Sequence, residues 1–184
     1  MEKKVLSEID LYTDIVHVIK IDRKRIKNDI INSFAGDKRL SKNKKDYSYQ
    51  DFEVPFSQPL HWLKDYIRDH FHVEYHRTLI PQKGWGNIYN PDESSFTRHQ
   101  VEPLSLRDSP DYTCLYGIEV AEDSCELVIE YDNNRRQDRT WHVPLKDNKF
   151  IIFPSTQRYF ISQNKSKRMN IFLTLTYPIN PTIT

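Results

Sequence analysis

Glycine is scarce in this chain: four residues out of 184, at positions 36, 84, 86 and 117. A phosphate-cradling loop or a dinucleotide fingerprint needs clustered glycines to bring backbone N–H groups close to an anion, so nucleotide chemistry of those kinds is excluded. Cysteine is scarcer, with only Cys114 and Cys125, both inside strand-like segments. That number builds neither a disulfide framework nor a zinc knuckle, and reduced, partly buried thiols are the simpler account. No apolar run approaches the roughly 20 residues of a membrane span, and Met1-Glu-Lys-Lys leads into no signal-peptide core. Net charge is nearly absent too, at +1, which argues against a broadly basic nucleic-acid surface and makes direct nucleic-acid binding an unfavoured reading. Basic residues do gather at Arg23-Lys-Arg25, at Lys38-Arg39 and from Lys42 to Lys45, in patterns that suit solvated surface.

Aromatic side chains are abundant, 12% of the chain, and charged ones make up 29%, a balance that suits a folded protein with a β-rich core. The length suits one domain, 1–184. The spacing predicts a first strand over 15–21 and a helix over 23–34 capped by Asp22, with Ile26, Ile30, Ile31 and Phe34 on one face. An exposed, lysine-rich loop follows. Pro59 suits the first turn of a second helix over 60–71, whose Leu60, Leu63, Ile67 and Phe71 form an apolar stripe. After it come short apolar or aromatic runs at 72–79, 84–89, 96–101, 112–120, 125–131, 140–143, 150–153, 158–162 and 170–177. Two helices and then about nine strands define an α+β, mainly β plan: a brace over 15–71, a β core over 72–177 and a tail over 178–184.

Sites of catalysis are harder to find. His70, His72 and His76 with Glu74 lie close in sequence, but His70 falls in the last turn of a predicted helix, where three ligands do not converge. No Ser-His-Asp or Cys-His arrangement stands out.

The second half carries a resemblance. Trp85-Gly-Asn-Ile-Tyr89, His99-Gln-Val-Glu-Pro103, Thr113-Cys-Leu-Tyr-Gly-Ile-Glu-Val120, Phe153-Pro-Ser155 and Arg168, in that order, resemble the 2-oxoglutarate/Fe(II) oxygenase superfamily, in its prolyl-hydroxylase-like phage branch. The resemblance implies a double-stranded β-helix, or jelly roll, with two N-terminal helices packed on one sheet. It also implies where an iron site belongs. Two imidazoles and a carboxylate hold Fe(II) on one face and leave positions for 2-oxoglutarate and oxygen. In the family the first His and the carboxylate come at His-x-Asp/Glu spacing, the second His lies four residues after Phe-Pro-Ser, and an Arg about ten residues later pairs with 2-oxoglutarate.

This chain keeps that pattern in part. Arg168 stands where the cosubstrate Arg belongs, with Asn87 and Tyr89 beside the implied pocket. Tyr159 stands where the second His belongs, and a phenol, with a reference pKa of about 10, is a poor ligand for Fe(II). At the front of the triad two alignments stay open: His99 with Glu102, out of strand phase, or Gln100 with Glu102, an amide and a carboxylate. A recruited third ligand would have to come from His142 or His76. The expectation is a Tyr159 ring packed in the barrel, its hydroxyl bonded to Gln100 or Glu102, with no catalytic residues and no cofactor. The function expected is that of a phage virion structural or assembly component, in the virion or host cytoplasm, contacting other phage structural proteins or copies of itself. The 178–184 tail and the 38–49 loop are candidate contact arms. The alternative is an active hydroxylase that uses Fe(II) and 2-oxoglutarate, with His99 and Glu102 on the metal and Arg168, Asn87 and Tyr89 on the cosubstrate.

Overall fold

The computed structural model describes residues 9–18, 20–36, 47–48, 54–101, 105–132 and 138–180. In chain order the elements are β1 (Tyr12–Ile15), α1 (Arg23–Gly36), β2 (Tyr47–Ser48), α2 (Gln58–Tyr75), β3 (Gly84–Tyr89), β4 (Tyr112–Glu119), β5 (Glu126–Asp132), β6 (Asp138–Pro144), β7 (Lys149–Pro154), β8 (Arg158–Ile161) and β9 (Asn170–Tyr177), with a 3-10 turn at Leu106–Asp108 before β4. The strands form two antiparallel sheets. The larger has the order β1-β7-β4-β9-β3-β2 and the smaller β6-β5-β8. After β3 and β4 in the larger sheet the chain makes β5 and β6 in the smaller one, returns for β7, crosses again for β8 and ends in the larger sheet with β9, and the stretch through Arg98 extends the smaller sheet by a bridge to Tyr159 on β8. This is a double-stranded β-helix with two helices laid on its larger sheet.

Side-chain alternation explains the two layers. Cys114 and Tyr116 of β4, Phe150 and Ile152 of β7, and Ile171, Leu173, Leu175 and Tyr177 of β9 face the helices. There they pack with Ile26 and Ile30 of α1 and with the stripe Leu60, Leu63, Ile67 and Phe71 of α2. The intervening residues Leu115, Ile151, Phe153 and Phe172 face the smaller sheet and pack with Leu127, Ile129, Val143, Tyr159 and Ile161. Gly86 faces α1, and a methyl group there would run into Ile30, so the missing side chain lets the helix lie close to the sheet.

Three expected strands differ from the structure. The 15–21 strand is β1, shifted to Tyr12–Ile15. It ends there because its partner β7 begins at Lys149, and Asn148 closes the pairing through Val16 N–H to its carbonyl (3.1 Å) and its own Nδ2 to Val16 O (2.7 Å). The 72–79 strand is in its first part helix: α2 runs on to Tyr75 and stops at His76, whose left-handed backbone (φ 54°) lets its N–H reach His72 O at 2.9 Å. Val73 and Tyr75 favour strands by propensity, but no sheet edge is there to take them. The 96–101 strand is an irregular ribbon along β8, touching at Ser95 N–H to Ile161 O (3.0 Å), at the Arg98–Tyr159 pair and at Gln100 N–H to Ser155 O (3.2 Å). Asp22 caps α1 as expected, its Oδ1 accepting from Arg25 N–H at 3.0 Å. Cys114 and Cys125 are both free and buried, and burial pushes both thiols up. Of the expected contact arms, most of the 38–49 loop lies outside the described residues. The start of the tail docks on its own chain, with Ile179 N–H on Asp111 Oδ2 (2.7 Å) and Asn180 N–H on Thr78 O (2.8 Å). Among the described residues no helix is long and apolar enough to cross a membrane.

Candidate functional site in the barrel

Phe153-Pro-Ser155 turns β7 into β8 and delivers Tyr159 to the barrel face, opposite Ile129 of β5 and Arg98 of the neighbouring ribbon. Its ring is 2% exposed and meets Phe153 edge to face, with centroids 5.0 Å apart. Its hydroxyl accepts a 2.7 Å hydrogen bond from Gln100 Nε2. Strand alternation accounts for that partner. Arg98 and Tyr159 are a directly opposed pair, so Gln100 shares their face and His99, which is exposed, lies on the other. Of the two alignments open from sequence, the one through Gln100 faces Tyr159. Glu102 lies outside the described residues.

Around this pair the barrel face of the larger sheet is polar but uncharged. Thr113 and Ser155, both buried, share a hydroxyl–hydroxyl bond of 2.8 Å. Thr174 Oγ1 donates to Asn87 Oδ1 at 2.6 Å, and beside it the buried Trp85 Nε1 has no partner among the described residues. Deeper in, Tyr89 and Phe172 close the barrel with ring centroids 6.0 Å apart. None of the threonines was singled out from sequence, although Thr174 and Thr176 in a run as apolar as β9 were the available signal.

Arg168 is the residue that the resemblance assigns to the cosubstrate. It is exposed, in the turn that leads into β9, where its carbonyl accepts from Asn164 Nδ2 (2.7 Å) and Ser166 Oγ (2.9 Å). The residue that enters the barrel at that end is Asn170. Its amide is spent on the β4–β5 turn, with Nδ2 donating to Ser124 Oγ (2.8 Å) and Oδ1 accepting from Ala121 N–H (3.0 Å). The spare imidazoles are also committed elsewhere. His142 points away from the barrel, held by Glu126 (2.9 Å) and Thr140 (3.1 Å), and His76 ends α2.

At the positions to which the resemblance assigns the two imidazoles, Gln100 and Tyr159 face each other, a neutral amide and a phenol, neither of which suits Fe(II), and no group of three His, Cys, Asp or Glu side chains suited to a metal occurs among the described residues.

A second cluster lies outside the barrel. Asp14 on β1 binds His70 Nε2 of α2 at 2.7 Å, beside a cavity of about 210 Å³ lined also by Tyr12, Glu74, Tyr75 and Phe150. The Ile15 N–H, burial working the other way, and then His70 leave the Asp14 carboxyl below its ordinary value. A depressed carboxyl stabilises the fold above its unfolded pKa of about 3.9 and loses that contribution as pH falls through the folded value. Acid-induced loosening of β1, read by amide exchange between pH 6 and pH 3, should be weaker in Asp14→Asn than in the parent. An equal response in both would exclude Asp14 as its source.

No family model matches the sequence, and no curated protein matches it. Solved structures do match, and the fold is that of the 2OG-Fe(II) oxygenases. One is the viral collagen prolyl hydroxylase of Paramecium bursaria Chlorella virus-1, solved as its 2-oxoglutarate complex. It is 11% identical, with 91% of this chain and 94% of that one covered and a TM-score of 0.63. A prolyl-4-hydroxylase from Pseudomonas putida is 10% identical over 91% of each chain, with a TM-score of 0.60. A 2OG-Fe(II) oxygenase family protein from Burkholderia pseudomallei is 13% identical over 65% of this chain, with a TM-score of 0.51, and this chain covers 56% of its length.

Proposed function

We propose that this chain is a non-catalytic relative of the oxygenases, its barrel used as a structural or assembly module that contacts other protein subunits, with a phage particle as the setting. The observation that carries the reading is the Gln100–Tyr159 hydrogen bond, at the positions to which the resemblance assigns two imidazoles. A buried phenol bonded to an amide and set edge to face against Phe153 is a packing solution that needs no metal. The exposure of Arg168 and of His99 adds support, since neither is on hand to complete a site for a dianionic cosubstrate.

The test is an anaerobic thermal-shift titration of metal-stripped protein with Fe(II) or Mn(II), with and without 2-oxoglutarate. A specific ligand at about 100 times its dissociation constant adds roughly 2.7 kcal/mol, a shift of several degrees in a domain of this size. The expected result is no shift with either. A metal-dependent rise that 2-oxoglutarate enlarges, with succinate formation lost in His99→Ala, would establish the active hydroxylase instead.

A further inference from the structure

A sheet edge is a row of unpaired N–H and C=O groups, and proteins that stay apart cover or blunt it. In this fold the edges are treated unequally. At β1 the outward N–H of Ile15 is taken by the Asp14 carboxylate (2.7 Å), and just beyond it His17 N–H reaches the Tyr66 hydroxyl (3.4 Å). At the far side of the same sheet β2 is two residues long. The β8 edge of the smaller sheet is covered by the backbone of Ser95 and Arg98. The fourth edge is β6, seven residues in regular register with β5. Among the described residues nothing bonds to its outer side.

The phase of that edge follows from the ladder. Leu145 N–H donates to Cys125 O, so by antiparallel alternation the backbone groups of Val143, Trp141 and Arg139 face β5, and those of Asp138, Thr140, His142 and Pro144 face outward, which leaves Thr140 and His142 as the central donors before Pro144, which has no N–H, ends the edge. On the barrel-side face of the same strand Trp141 is 64% exposed.

We propose that β6 is a homodimerisation edge, pairing antiparallel with β6 of a second copy about a two-fold axis at Trp141. In that register Thr140 and His142 of one chain exchange backbone hydrogen bonds with His142 and Thr140 of the other. Trp141 meets its own copy at a non-hydrogen-bonded position, where opposed side chains come closest. Arg139 then lies opposite Val143, so no like charges are opposed. The two smaller sheets join as β8-β5-β6-β6-β5-β8, and an exposed indole is covered. Self-complementarity selects a second copy over an unrelated strand, because the same residues satisfy both sides of the axis. This inference rests on the assembly reading above and names a partner for it.

Sedimentation equilibrium tests it, on the parent, His142→Pro and Trp141→Lys. Proline at 142 removes an outward N–H and leaves intact the ladder to β5, which uses residues 141 and 143. Lysine at 141 sets two like charges against each other at the axis. One strand pair with one indole contact is a small interface, so dissociation is expected at the weak end for protein interfaces, on the order of micromolar or above. The parent should approach twice 22.1 kDa at about 100 μM, and both variants should remain at one chain mass with an unchanged far-ultraviolet spectrum. Should His142→Pro fail to fold, Trp141→Lys decides the matter, since its ring is exposed in the single chain. A parent that stays monomeric at that concentration, or a folded Trp141→Lys variant that dimerises as the parent does, overturns the proposal. Those outcomes leave the metal titration untouched, so the dimer and the non-catalytic reading fail separately.

Discussion

Tyr159→Ala is expected to lower the unfolding free energy by about 3–5 kcal/mol, the range for removing a large buried ring from a core that cannot collapse around the hole. The ring is almost fully buried, its edge-to-face contact with Phe153 is lost with it, and Gln100 Nε2 is left without its acceptor. Tyr159→Phe keeps the ring and should cost only about 1 kcal/mol, the net worth of one hydrogen bond. The pair of variants separates packing from polarity, and equilibrium urea denaturation reads both. A loss below about 1 kcal/mol in Tyr159→Ala would mean that the ring fills no core, contrary to the smallest void a buried tyrosine leaves. The same result would reopen the barrel as a ligand site.

The burial of the Tyr159 ring and its bond to Gln100 were legible from sequence because Phe153-Pro-Ser155 fixes where β7 turns. The choice between the His99 and Gln100 alignments was not. It depends on the phase of an irregular ribbon against β8, and a shift of one residue sends each side chain to the opposite face. Arg168 illustrates the same limit. Its spacing from Tyr159 suits a cosubstrate contact, yet the turn closed by Asn164 and Ser166 leaves it outside, and Asn170 takes the barrel-facing position. The α2 stripe of Leu60, Leu63, Ile67 and Phe71 was read correctly because four apolar residues at helical spacing admit one burial face. The end of α2 was misread because Val73 and Tyr75 are strand formers by propensity, and only tertiary context shows that no sheet waits for them. Strands β3 to β9 were located within a residue or two, since each is bounded by turn residues and carries its own apolar face. The order of those strands in two sheets came from resemblance and from the structure, not from periodicity.

Gly117→Ala should cost about 3 kcal/mol or more, at the upper end of overpacking, although it adds a single methyl group. Gly117 lies on the barrel side of β4, and a Cβ there would overlap the carbonyl oxygen of Lys146, a backbone atom with no rotamer to escape into. The obstacle is held from both directions. Asn148 N–H donates to Gly117 O at 2.9 Å, while the Asn148 side chain ties Tyr116 OH and Val16 O, each at 2.7 Å. Moving Lys146 therefore pulls on the β6–β7 turn, on the helix-facing core at Tyr116 and on the end of β1 together. Gly84→Ala is the contrasting case. Its Cβ would meet Leu175 Cδ2 at 2.7 Å and Lys64 Cε at 3.3 Å, side-chain atoms that can shift, so a cost nearer 1 kcal/mol is expected. Urea midpoints of the two variants measure the difference, and equal costs would mean that the Lys146 backbone yields as readily as a side chain. Because β6 leads directly into this turn, Gly117 also fixes the end of the strand whose outer edge is left open.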